Sequence, residues 1–314
     1  MTRLRMLAAA ALVSLVSLAS PPAHAGDGQR ALDILPRDVS LVASWNVARS
    51  RLSPVGAKLV DLLADGHIIS GTVQRLRKGM GMSWRRDVDT VVLGLGASGS
   101  PAAQLVMLIE GRVDQQKLVA AAQKERGFRG LIHRGVDYYQ IGKAEIAFLE
   151  GYWITTRRGA MPRIIDASRG QSPSARSNKA LMALLQSVNV GTDLWCVANV
   201  PRPMRKEIAA ETGSWTMTAM TASVDLKKRV RARVRLGLSD RAAVIAVGTW
   251  LRAKGPSHEV IQAMGLSTAV RAVSLSRRDD NLDLTLTVAE DDMTTLARYL
   301  RERAAQRAGD GSGS

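Results

Sequence analysis

Residues 39–47 of the chain read VSLVASWNV, an apolar run with three valines and a tryptophan. A short, continuous apolar run of this kind predicts a strand buried in the interior of a sheet. A similar run returns at residues 193–200, which read DLWCVANV. We therefore expect a buried strand in each half of the chain.

These two runs also share letters at matching positions. The pattern L-x-x-x-x-N-V-x-R begins at Leu41 and again at Leu194, an offset of 153 residues. A strand that leads into a helix capped by aspartate occurs at Asp114 and again at Asp240, an offset of 126. The two offsets differ by 27 residues, which places one deletion in the second half. We therefore predict that the two halves arose by duplication.

Hairpin signals and helical signals alternate through both halves. A meander with glycine-containing turns is predicted over residues 131–156, and further hairpins over residues 215–238 and 272–288. Antiparallel hairpins with intervening helices are typical of an α+β fold. The sequence thus predicts two tandem repeats of an antiparallel sheet with helices packed on one face.

The N-terminus has the pattern of a secretory signal peptide. Arg3 and Arg5 precede an apolar segment at Met6–Ala19, and Ala23-His24-Ala25 matches a cleavage site. No cysteine lies near that site, so a lipid anchor is not expected and the mature protein is expected to be periplasmic or secreted. The predicted organisation is a signal peptide at 1–25, a first α+β unit at 26–167, a linker at 168–177 (SRGQSPSARS), a second unit at 178–307 and a disordered tail at 308–314.

Composition restricts the class of protein further. The 314 residues include 44 Lys+Arg and 28 Asp+Glu, for a net charge of +16, or +14 after loss of the signal peptide. The single cysteine excludes an intramolecular disulfide and a cysteine-based zinc site. No transmembrane span is expected in the mature chain. Positive charge attracts anions, so the expected partners are anionic envelope polymers or lipid headgroups, with extracellular nucleic acid less favoured.

One glycine-rich motif matches the dinucleotide-binding pattern G-x-G-x-x-G, at Gly94, Gly96 and Gly99. A hairpin loop is favoured instead, because residues 105–113 (LVMLIEGRV) read as a strand rather than a helix. Nicotinamide cofactors are also not expected outside the inner membrane. We therefore predict no cofactor.

No catalytic or metal-binding motif stands out. The mature chain has His67, His133 and His258, and none is paired with another at metal-ligand spacing. A nucleophile elbow and an S-x-x-K motif are both missing, so the alternative for a catalytic site is a Ser/His/Asp group assembled from distant positions. Cys196 lies in an apolar run, which favours a buried side chain over a reactive thiol.

The chain has six tryptophans but only two phenylalanines. Trp45, Trp153, Trp195 and Trp250 fall in apolar segments and are predicted to be core residues. Trp84 lies in the sequence SWRR and is the candidate for exposure, where it would stack on a sugar or a base. The alternative, a tryptophan that covers a domain edge, is favoured because tryptophan is usually largely buried.

Arginine alternates with apolar residues in one predicted strand. Successive strand residues point to opposite faces, so the four arginines should share one face. An ordinary solvated face is the favoured interpretation; the functional one is a ribbon that grips phosphate or carboxylate groups. Asp283 is placed to pair with one arginine if the strands are neighbours. The candidate anion-binding residues are Arg229, Arg231, Arg233 and Arg235.

The chain loosely resembles a group of exported bacterial proteins of unknown function, which are built of repeated α+β units. The resemblance lies in three short motifs, Leu35-Pro36-x-Asp38, Ser53-Pro54 and Arg86-Asp87-Val88-Asp89. The resemblance implies a fold and no activity. We expect an exported, non-catalytic binding or scaffold protein of the bacterial envelope. The alternatives are an envelope hydrolase with a dispersed site and an extracellular nucleic-acid binder.

Overall fold

The computed structural model describes residues 27–64, 71–96, 105–212, 215–227, 229–264 and 266–289, together with residues 295, 298, 299 and 302. The predicted signal peptide, His67, Gly99, the C-terminal tail and most of the predicted last helix lie outside the described residues.

Strands of the described chain form one sheet. In chain order they are β1 (Val39–Asn46), β2 (Val88–Gly96), β3 (Leu105–Gly111), β4 (Phe128–His133), β5 (Val136–Ile141), β6 (Ala144–Leu149), β7 (Tyr152–Arg157), β8 (Leu194–Asn199), β9 (Met217–Leu226), β10 (Val230–Leu238), β11 (Ser274–Arg278) and β12 (Asn281–Val288).

Helices connect these strands. They are α1 (Asp27–Ile34), α2 (Val47–Ser50), α3 (Pro54–Ala64), α4 (Gly71–Gly79), α5 (Trp84–Asp87), α6 (Gln115–Gln123), α7 (Met161–Ser168), α8 (Lys179–Gln186), α9 (Arg202–Thr212), α10 (Arg241–Ala253), α11 (Glu259–Ala263) and α12 (Ser267–Arg271), with short 3₁₀ turns at Ala175–Ser177 and Gly255–Ser257.

Within the described ranges the sheet has twelve strands in the order β11-β12-β10-β9-β8-β1-β2-β3-β7-β6-β5-β4, and every neighbouring pair is antiparallel. The predicted α+β class is therefore confirmed. The two apolar runs quoted above are β1 and β8, and they lie side by side. From this pair the chain builds outward in both directions, through β2 and β3 on one side and through β9 and β10 on the other.

The register between β1 and β8 matches the repeat offset found in the sequence. Ala43 lies directly opposite Cys196, and these positions differ by 153 residues. A local two-fold axis that relates two antiparallel strands passes midway between a pair of directly opposed residues. Asp114 and Asp240 each cap the helix that follows a strand: their side chains accept hydrogen bonds from Lys117 N–H and Ala243 N–H. This order is what a duplication would produce, and the duplication itself stays a prediction.

Helices cover both faces of the inner strands, which differs from the one-faced packing expected. Val42 and Val197 face a core that includes residues of α1, α7 and α8. Their neighbours Ala43 and Cys196 face a second core that includes residues of α3, α4 and α6. The reason lies in the composition of β1 and β8, because a strand that is apolar on both faces needs cover on both.

The segment at 168–177, predicted to be a linker, packs against the chain near α1. Ala175 is fully buried, and its N–H donates to the Leu35 carbonyl at 2.7 Å. Pro36 and Ser174 form an isolated antiparallel bridge. Arg176 forms an ion pair with Asp33. The connection between the two halves is thus held on the surface of the first half.

Candidate functional site

The alternating arginines lie on β10, between β9 and β12. Burial alternates along the strand: Val230 and Ala232 are buried in the core, whereas Arg231 and Arg233, which follow them in turn, are exposed. Arg229 is also exposed and comes one residue before the strand. Residues of β12 continue this polar surface. We call the surface formed by Arg231, Arg233 and Arg235 of β10 with Asp283, Thr285 and Thr287 of β12 the arginine face.

Arg235 is neutralised by a partner on the neighbouring strand. Its Nε lies 2.6 Å from Asp283 Oδ1, and its Nη2 lies 3.2 Å from Asp283 Oδ2. This two-pronged hydrogen bonding raises the pKa of Arg235 above its ordinary value. The pairing anticipated from the sequence is present because β10 and β12 are direct neighbours.

Unlike Arg235, the two preceding arginines of β10, Arg231 and Arg233, are not bonded to a carboxylate among the described residues. Arg231 lies opposite Asp225 of β9 and Thr287 of β12. Within the described residues, the side chains of Arg229, Arg231 and Arg233 form no ion pair or hydrogen bond. The sequence pattern identified the arginines and Asp283, but it did not indicate that Asp225 flanks Arg231, since that follows from strand pairing alone.

Trp84 is buried, in line with the interpretation favoured from the sequence, so the candidate role of an exposed stacking residue is wrong. The side chain is 1% exposed and belongs to the core on the α3–α4 side of the sheet. It is the first residue of α5, whose turn is closed by a hydrogen bond from Ser83 N–H to Asp87 Oδ2 at 2.7 Å. This helical turn points Trp84 inward and leaves Arg85 and Arg86 exposed.

Among the four tryptophans predicted to be core residues, Trp45, Trp153 and Trp195 are buried. Trp250 is 41% exposed, so its assignment to the core is wrong. It lies on α10, which buries Ala243, Val244, Val247 and Gly248 on its other side. The Trp250 ring meets His258 edge-on, with ring centroids 5.8 Å apart. Apolar residues occur on both the buried and the exposed side of this helix, so its sequence alone does not show which side faces the sheet.

His133 is the one described histidine with a carboxylate partner. Its Nε2 lies 2.9 Å from Asp166 Oδ1. Arg134 bonds to the same oxygen, and together the two bonds lower the pKa of Asp166. No serine or cysteine side chain hydrogen-bonds to His133 among the described residues. The carboxylate is thus shared between the imidazole of His133 and the guanidinium of Arg134.

Cys196 is buried in β8, as the sequence predicts. Burial in an apolar environment disfavours the thiolate and raises the pKa of Cys196 to about 12. Because the thiolate is the nucleophilic form, this thiol is inert near neutral pH.

A cleft of about 680 Å³ lies between α7, the 172–173 segment and the start of α8. Its lining includes Asp38, Arg163 and Asp166. Arg163 Nη2 lies 2.9 Å from Asp38 Oδ2, and Asp166 bonds to His133 and Arg134. Asp38, Arg163 and Asp166 are therefore engaged in ion pairs, whereas Arg37 and Lys179, which also line the cleft, form none among the described residues. In the part of the chain that is described, no group of side chains is arranged to hold a metal ion.

Among the helices of the described residues, none is both long and apolar enough to cross a membrane.

Comparisons with known proteins show similarity of fold. No family model and no curated protein matches the sequence. Two crystal forms of the Treponema protein TP0453 match the structure. Form I has a TM-score of 0.51 at 8% identity and covers 85% of this chain and 96% of that one; form IV has 0.50 at 9%, covering 88% and 99%. At these identities the likeness concerns the fold alone, so the chain has the α+β architecture of TP0453 over most of its length.

Proposed function

We propose that this protein is an exported, non-catalytic binding protein that holds an anionic polymer on its arginine face. Export is inferred from residues 1–25, which have the signal-peptide pattern. The observation that carries the proposal is that three of the four arginines are exposed and, in the described part of the chain, not paired with a carboxylate. Arg235 is paired with Asp283, whereas Arg229, Arg231 and Arg233 are exposed and lack a bonded carboxylate among the described residues.

Electrostatics favours an anion at this surface. Residues two apart on a strand are ~7 Å apart, within the Debye length of roughly 8–10 Å, so neighbouring guanidinium groups repel each other. A bound anion relieves this repulsion. The guanidinium fork also matches the oxygen geometry of phosphate, sulfate and carboxylate groups. Because the arginines form a row along one strand, a polymer with repeated charges contacts several of them at once.

Other observations weaken the alternatives. The buried Trp84 removes the candidate base-stacking residue on which the nucleic-acid hypothesis depended. The buried Cys196 thiol and the shared Asp166 carboxylate offer no support for a hydrolase. A binding role needs only the surface just described.

The test is a salt titration of heparin binding. Replacement of Arg229, Arg231, Arg233 and Arg235 by Gln should weaken binding at least about tenfold near 100 mM salt and flatten its salt dependence. The matched control replaces Arg112, Lys124, Arg126 and Arg129 by Gln, which removes the same charge from exposed positions in the first half. Equal losses in both variants would mean that net charge, and no particular surface, determines binding.

A further inference from the structure

Three rows of directly opposed residues cross the arginine face, and they continue beyond it onto the neighbouring strands β9 and β11. The middle row runs from Ser223 of β9 through Arg233 to Thr285 of β12 and Ser274 of β11. Its members apart from the arginine are all hydroxyl residues. Within this row Arg233, Thr285 and Ser274 are exposed, whereas Ser223 is only 7% exposed and lies deeper in the sheet.

Each of the two flanking rows contains a carboxylate. In one row Asp225 lies opposite Arg231, and in the other Asp283 is hydrogen-bonded to Arg235. A carboxylate next to an arginine repels an incoming anion and competes for the guanidinium. The hydroxyls beside Arg233 have the opposite effect, because a hydroxyl is neutral and donates a hydrogen bond.

From this pattern we infer that Arg233, with the hydroxyls of Ser223 and Thr285, forms the site for a tetrahedral oxyanion, a phosphate or sulfate group. The inference rests on the proposed function and specifies where on the arginine face the charged group binds. Adjacent strands lie ~4.8 Å apart, so the three side chains project from the same face as direct neighbours, with Ser223 the least exposed of them.

The number of donors selects the chemistry of the ligand. A guanidinium edge donates two parallel hydrogen bonds, which satisfy the two oxygens of a planar carboxylate. A phosphate or sulfate group has further oxygens that point in other directions. The hydroxyls of Ser223 and Thr285 lie on either side of Arg233 and supply donors for those oxygens. The site thus distinguishes tetrahedral oxyanions from carboxylates.

The experiment compares single substitutions across the three rows, with heparin as a sulfated polymer and polyglutamate as a carboxylate polymer. Arg233→Gln should weaken heparin binding about tenfold, the effect of losing a charge-assisted hydrogen bond. Arg231→Gln and Arg235→Gln remove the same charge from the flanking rows and should change it by about twofold or less. Thr285→Val, at an exposed position, should weaken heparin binding while leaving polyglutamate binding unchanged.

The outcomes separate this inference from the proposed function. Equal losses for Arg231→Gln and Arg233→Gln would overturn the single site but leave a binding ribbon in place. No loss for any single variant or for the fourfold variant would overturn both. Soluble polyphosphate and vesicles of phosphatidylglycerol with phosphatidylcholine serve as two further arms. If Arg233→Gln weakens binding to polyphosphate, the phosphate source is a polymer; if it weakens binding to the vesicles, the source is a lipid headgroup. If it weakens binding to neither, the proposed site for phosphate is wrong.

Discussion

Ala43 of β1 lies directly opposite Cys196 of β8, where the two halves of the chain join in the interior of one sheet. Both side chains are nearly buried, at 3% and 4% exposure, and both belong to the same core. The junction between the halves is therefore a strand pair inside the core, so the second half cannot separate from the first without exposing apolar surface.

The position of Cys196 predicts an unreactive thiol. Since burial raises the pKa of Cys196 to about 12, the thiolate fraction in the folded protein should stay small up to about pH 10. A thiol-reactive chromophore should label the folded protein at least a hundredfold more slowly than the protein in denaturant, at pH 8. Cys196→Ala serves as the unlabelled control. Labelling at comparable rates in both states would contradict the buried position.

Asp283 should limit anion binding, because it occupies Arg235. Asp283→Asn removes the carboxylate and frees the guanidinium, so heparin affinity should rise several-fold and its salt dependence should steepen. The matched control is Asp279→Asn, which makes the same change of charge in the turn between β11 and β12. An equal rise in both variants would attribute the effect to net charge.

Asp166 should make stability depend on pH in the acid range. Hydrogen bonds from His133 and Arg134 lower the pKa of Asp166 in the folded state below its unfolded value of about 3.9. Its contribution is thus present above about pH 4 and is lost as the pH falls through the lowered pKa. Asp166→Asn should reduce the free energy of unfolding by about 1 kcal/mol or less at pH 6, and the difference should vanish near pH 2. Chemical denaturation at both pH values measures it.

Trp84 and Trp250 should differ sharply in their effect on stability. Trp84→Ala leaves a large cavity in the core and should cost about 3–5 kcal/mol of the free energy of unfolding. Trp250→Ala alters a side chain that is 41% exposed and should cost about 1 kcal/mol or less. Urea denaturation of the two variants provides the comparison. If Trp84→Ala were the milder change, the placement of α5 would be wrong.

Several local features follow from the sequence without knowledge of the whole fold. The alternation along β10 separates Val230 and Ala232 from Arg231 and Arg233 because neighbouring strand residues point to opposite faces. Asp114 caps its helix by accepting a hydrogen bond from the N–H of Lys117, three residues further along the chain. The apolar runs at β1 and β8 are buried as predicted. Each of these depends on residues that are close in the chain.

Strand neighbours, by contrast, were decided by the tertiary structure. Asp283 reaches Arg235 and Asp225 flanks Arg231 only because β12 and β9 pair with the two edges of β10 in one register. A shift of that register by one residue would put every side chain of a strand on the other face. Trp84 lies in a polar sequence and became buried because its helical turn packs against a core built from distant segments. Such contacts depend on the packing of whole elements, which a local pattern does not contain.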